Sequence, residues 1–66
     1  MKITVNGKEL EVAPGTTVAQ LVETLGVKND RIATERNLQV VPRARYEQTP
    51  LAEGDRLEIV TFVGGG

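Results

Sequence analysis

The chain is 66 residues long, 39% apolar and carries a net charge of −1, so it holds one small domain with a marginal core and no basic excess for nucleic acid. It has no Cys, His or Ser, which excludes disulfide staples, thiolate or imidazole metal sites, and nucleophilic machinery of the Ser–His or Cys–His kind. Tyr46 and Phe62 are the only aromatics, no apolar run is long enough to cross a bilayer, and Met1–Gly7 lacks signal-peptide character, so base stacking and membrane partners are not expected and the cytoplasm is the default location.

Ile3 and Val5 alternate with Lys2 and Thr4, the period of a half-buried strand. Asn6-Gly7 follows, the pair that favours a type I′ turn because both central residues need positive φ. Leu10 and Val12 then alternate with Glu9 and Glu11, so residues 2–12 are predicted to form a hairpin. After the turn Ala13-Pro14-Gly15-Thr16 the period changes. Val18, Leu21, Val22 and Leu25 fall on one face of a helix over 17–25, Thr17 and Gln20 fit a capping box, and Gly26 suits the left-handed residue that ends it.

Lys28-Asn29-Asp30 reads as a polar connection. Ile32 to Glu35 is a candidate strand with no clear inward face, Arg36-Asn37 a turn, and Leu38 to Val41 a strand stopped by Pro42. Arg43 to Tyr46 suits a short helical turn and Ala52-Glu53-Gly54-Asp55 a loop. Arg56 to Val63 is the last strand, rich in β-branched residues. A hairpin, a crossing helix and a final strand parallel to the first define an α+β, β-grasp (ubiquitin-like) fold. The expectation is a mixed sheet of four to five strands with one main helix packed on one face.

The chemistry-bearing feature is the end. Gly64, Gly65 and Gly66 follow the last strand without a linker, which divides the chain into a body at 1–63 and a flexible glycine tail at 64–66. Such a tail reaches about 10 Å and, lacking side chains, can thread a narrow channel to present a terminal carboxylate. A carboxylate needs activation before a sulfur or nitrogen nucleophile can attack it, and adenylation by ATP supplies this. A frayed terminus is the bland alternative.

On the last strand, Val60 and Phe62 face away from the helix if Leu57 and Ile59 face it. Two large apolar residues there read either as a docking patch beside the tail or as a second small core, with Phe62 under Tyr46 or the 43–51 loop. Arg43, Arg45 and Arg56 read as solvated surface, with steering toward an acidic partner as the alternative.

The residues Met1 to Gly7, Glu35-Arg36-Asn37, Val40-Val41-Pro42-Arg43, Gly54-Asp55 and Glu58 to Gly66 together resemble the ThiS family, the sulfur carriers of thiamine biosynthesis. The resemblance covers essentially the whole chain. Thr61 stands where many relatives have His, and Leu38 where they often have Gly.

The resemblance implies a protein co-substrate rather than an enzyme. An E1-like adenylyltransferase using ATP and magnesium would adenylate the Gly66 carboxylate. A persulfide-bearing sulfurtransferase or cysteine desulfurase would supply the sulfur of a thiocarboxylate, and thiazole synthase would take that sulfur. The carrier itself would bind no cofactor and no metal. Gly65, Gly64, Phe62 and Val60 would contact the partners. The rival expectations are the small sulfur-carrier subunit of molybdopterin synthase, and a β-grasp interaction module whose tail is incidental. A stand-alone enzyme finds little support, because Glu9, Glu11, Glu53 and Glu58 fall on apparent solvent faces or turns.

Overall fold

The structure is a computed structural model that describes residues 1–62. The expectations for Gly64, Gly65 and Gly66, and for Val63 at the end of the last strand, lie outside the described residues.

Strands β1 (Lys2–Val5) and β2 (Lys8–Glu11) pair antiparallel, with Val5 opposite Lys8 and Ile3 opposite Leu10. The turn between them has Asn6 at φ 51° and Gly7 at φ 81°, the positive values that a two-residue hairpin turn demands. Helix α1 (Val18–Leu25) starts on Thr17, whose hydroxyl accepts the Gln20 N–H at 3.2 Å while the Gln20 side chain accepts the Thr17 N–H at 3.0 Å. It ends on Gly26 at φ 75°. Val18, Leu21 and Val22 are buried, whereas Leu25, the fourth member of the expected stripe, is 40% exposed at the helix end.

A 3₁₀ turn over Asn29–Arg31, read as plain connection in the sequence, leads into β3 (Ile32–Arg36). Strand β4 (Gln39–Val41), a second 3₁₀ segment (Arg43–Gln48) and β5 (Arg56–Thr61) complete the fold. The sheet order is β2-β1-β5-β3-β4, with β5 parallel to β1 and antiparallel to β3. The mixed sheet thus has five strands, the upper number of the four to five expected.

Two details of the middle differ from expectation, and a third that the sequence leaves open is decided by the fold. The β3–β4 turn is Asn37-Leu38 rather than Arg36-Asn37, and Leu38 belongs to the turn rather than to the strand. Both residues have positive φ, 52° and 71°, so Leu38 occupies a conformation that its side chain disfavours, and nothing in its chemistry signals a turn. The short helical segment runs on to Gln48. Thr34, whose face the sequence leaves open, is fully buried on the helix side, where its hydroxyl oxygen accepts a 2.9 Å hydrogen bond from the buried Tyr46 hydroxyl. That pairing lets two polar groups sit inside an apolar cluster of Ile3, Val5, Val18, Leu21, Leu57 and their neighbours without a desolvation penalty left unmet.

Candidate functional site

Strand β5 is bonded to both hairpins, so it sets the position of whatever follows it. Its N-terminal end is pinned by Asp55, which is 5% exposed. One Asp55 oxygen accepts from Arg36 Nε at 2.8 Å and from the Ala52 N–H at 2.8 Å, and the other accepts from Asn37 Nδ2 at 3.1 Å. Burial pushes this carboxyl up, but the Ala52 N–H, the Asn37 amide and the Arg36 guanidinium outweigh it and hold the carboxyl below its ordinary value. Asn37 also accepts the Arg56 N–H at 3.0 Å. The sequence marks Asp55 only as a turn residue. Its role as a junction appears once β3 and β5 are adjacent.

Farther along, the Asn6 side chain takes over where β1 ends. Its Oδ1 accepts the Ile59 N–H at 2.8 Å and its Nδ2 donates to the Ile59 carbonyl at 3.1 Å. On the other edge, β3 stays paired to the end of β5, with Ala33 opposite Val60, Ile32 opposite Thr61, and the Phe62 N–H donating to the Arg31 carbonyl at 2.7 Å.

With Leu57 and Ile59 buried toward the helix, Val60 and Phe62 stand on the outer sheet face, 58% and 56% exposed. Phe62 is therefore no part of a second core. The aromatic ring that packs inside is that of Tyr46. Val40, 69% exposed, extends the apolar surface on the same face, and Phe62 borders a shallow groove with Ala33, Val40, Pro42 and Arg43. The sequence marks Val40 only as a strand residue before Pro42, not as part of the surface patch. Its alternation with buried Val41 is the signal that could have found it. One step along the sheet, Glu35 and Glu58 lie directly opposite each other. Arg43, Arg45 and Arg56 are all exposed. Among the described residues, no group of three potential metal-ligating side chains comes together, and no helix is long and apolar enough to cross a membrane.

The site thus consists of a firmly held strand with Val60 and Phe62 exposed on its outer face, followed in sequence by Val63 and the glycines Gly64, Gly65 and Gly66. Comparison with known proteins decides its kinship. The ThiS family model matches residues 2–66, a span that includes the glycine tail. The chain belongs to the ThiS family.

Among its relatives are two that carry the ThiS name over nearly their whole length. The sulfur carrier protein ThiS of Bacillus subtilis is 36% identical over 62 residues, covering 92% of this chain and 94% of the relative. That of Escherichia coli is 32% identical over the full length of both. A crystal structure of the ThiS thiamine biosynthesis protein from Geobacter metallireducens superposes with a TM-score of 0.85 at 35% identity and covers both chains completely. A different kind of ThiS relative is the thiazole synthase of Paramagnetospirillum magneticum, 46% identical over all 66 residues. This ThiS-family chain spans only about a fifth of that protein and of a second thiazole synthase, from Magnetococcus marinus.

Proposed function

We propose that this domain is a sulfur carrier of thiamine biosynthesis, working in the cytoplasm as a protein substrate of partner enzymes rather than as a catalyst. The observation that carries this reading is the match to the ThiS family over residues 2–66, supported by two relatives named as sulfur carriers over nearly their whole length. The reacting group is the Gly66 carboxylate. An E1-like adenylyltransferase holding ATP and magnesium joins it to the nucleotide's α-phosphorus and expels pyrophosphate. The outer sulfur of a persulfide on a sulfurtransferase or cysteine desulfurase then displaces AMP to give an acyl disulfide. A thiol of the donor cleaves its S–S bond, leaving the sulfur on Gly66 and a disulfide on the donor. The resulting thiocarboxylate delivers its sulfur to thiazole synthase, the acceptor favoured by the relatives of that name.

In this reading the described residues dock and aim. Val60 and Phe62 give the partner an apolar foothold at the root of the tail. Asp55 and Asn6 fix the strand that carries them. Gly65 and Gly64 admit the tail to a narrow channel, where a side chain would collide with the wall. Residues 64–66 act as the tail and the rest as its carrier body.

The test is intact mass. Incubated with its activating enzyme, ATP and a sulfur source, the protein is expected to gain the mass of one oxygen exchanged for sulfur, and the Gly66-deleted form is expected to stay unchanged. Equal labelling of both forms would overturn the assignment.

A further inference from the structure

In a β-strand, alternate residues send their main-chain groups to opposite edges. On β5 the Arg56 carbonyl accepts from Asn37 and the Phe62 N–H donates to Arg31, so these residues bond on the β3 side. The odd positions bond on the other side. The Asp55 carbonyl accepts the Thr4 N–H at 2.9 Å, the Leu57 carbonyl accepts the Asn6 N–H at 2.9 Å, and both main-chain groups of Ile59 are held by the Asn6 side chain. Thr61 is next in this series. By then β1 has turned away at Asn6-Gly7. The Thr61 N–H and carbonyl therefore point past the hairpin, and among the described residues nothing meets them.

Beside this open edge lies a groove of about 460 Å³, lined by Val5, Leu10, Leu25, Val27 and Ile59 and bordered by Lys8. Leu25 is 40% exposed there, and Lys8 is the one charged residue of the lining. An unpaired strand edge is a template for another strand. A strand laid against Thr61 sends alternate side chains toward the helix side of the sheet, where this groove receives them. The chemistry of the site, two main-chain hydrogen bonds, an apolar recess and a lone cation, describes an extended segment with an apolar side chain next to a carboxylate.

We propose that the open main-chain edge of β5 at Thr61 takes up an extended strand of thiazole synthase, whose apolar side chain enters the adjoining groove and whose carboxylate meets Lys8. This rests on the sulfur-carrier reading and specifies how the carrier is held while its sulfur is transferred. Thiazole synthase is the occupant because relatives of that name contain a match to this whole domain within a single polypeptide. Thr61 is three residues before Gly64 in sequence, so a strand added there anchors the body close to where the tail is attached.

The experiment is a binding titration with thiazole synthase, combined with amide hydrogen exchange at Thr61 read by NMR. The Thr61 amide is expected to exchange freely in the isolated protein and to become protected in the complex. Thr61→Pro removes an N–H that the described fold does not use, so it is expected to weaken binding by about tenfold with little change in the unfolding midpoint. Lys8→Glu is expected to weaken binding as well. If wild-type protein binds while its Thr61 amide still exchanges freely in the complex, or if Thr61→Pro binds as wild type, strand addition is overturned and the carrier reading stands. If wild-type protein neither binds thiazole synthase nor acquires sulfur, both fall. Should Thr61→Pro not fold, the exchange measurement on the wild-type protein decides.

Discussion

Asn6 and Ile59 are paired as if both were strand residues, although the groups that Asn6 uses belong to its side chain. The Asn6 amide accepts from the Ile59 N–H at 2.8 Å and donates to the Ile59 carbonyl at 3.1 Å, so one residue both turns the first hairpin and extends the β1–β5 ladder. Asn6→Gly keeps the positive φ and loses only the two bonds, an expected cost of about 1–2 kcal/mol. Asn6→Ala loses the same two bonds and keeps a Cβ at φ 51° without the polar side chain that lets Asn tolerate that region, for a total of about 2–3 kcal/mol. Urea unfolding of the two variants measures both values. Equal midpoints would show that the turn stores no strain.

Leu38 gives the opposite sign. Its side chain is 89% exposed and its φ is 71°, so it contributes little packing and occupies a left-handed conformation. Leu38→Gly is expected to stabilise the domain by about 0.5–1 kcal/mol, because relief of the strain exceeds the added freedom of the unfolded chain. A higher thermal midpoint is the expected result. A lower one would mean that the exposed side chain makes contacts its surroundings do not show.

The Asp55 carboxyl should make stability depend on acid. Its pKa is lowered in the folded state from an ordinary 3.8, so the stabilisation is complete above that value and is lost as pH falls through the folded-state pKa. Asp55→Asn is expected to lower the unfolding midpoint at pH 7, because it weakens the bonds to Arg36, Asn37 and the Ala52 N–H. The loss is expected to be about 1–3 kcal/mol. The gap between wild type and variant should narrow below about pH 4. A gap that stays constant down to strong acid would show that the charge at this junction is immaterial.

These three residues also mark what a linear reading reaches. The first hairpin was legible because Asn6-Gly7 is flanked by clean alternation, and the helix because its apolar positions, capping box and final glycine agree. The second hairpin was only partly so, since Leu38 fills a turn position that chemistry assigns to glycine. Thr34 could not be oriented, because its burial depends on a hydroxyl partner at Tyr46, twelve residues away. Asp55 resembled any turn residue until β3 came to lie beside it. At the candidate site, alternation along β5 was enough to put Val60 and Phe62 on the outer face. Alternation with Val41 also marks the neighbouring Val40 as outward-facing, whereas its place beside Phe62 and the open edge at Thr61 required the sheet order.

Phe62 separates docking from stability. At 56% exposure outside the core, Phe62→Ala is expected to lower folding stability by less than about 1 kcal/mol. As an aromatic anchor it is expected to cost about 2 kcal/mol of partner binding, roughly thirtyfold in Kd. Titration with the activating enzyme, set beside urea unfolding, compares the two. A large loss of stability with binding intact would remove Phe62 from the docking surface.

The order β2-β1-β5-β3-β4 makes the latest-synthesised of the described strands the middle one. Each hairpin leaves the ribosome before the strand that must join them, and neither pairs with the other. Until Arg56–Thr61 is available, neither hairpin has the strand that pairs with its inner edge, and an isolated hairpin is marginal in water. Assembly has to wait for the last of the described strands, which ties completion of the body to emergence of the stretch that precedes the glycines in sequence. A polypeptide cut short within that stretch should lose the whole architecture at once instead of shedding one edge, so an incomplete product would not compete with the finished one.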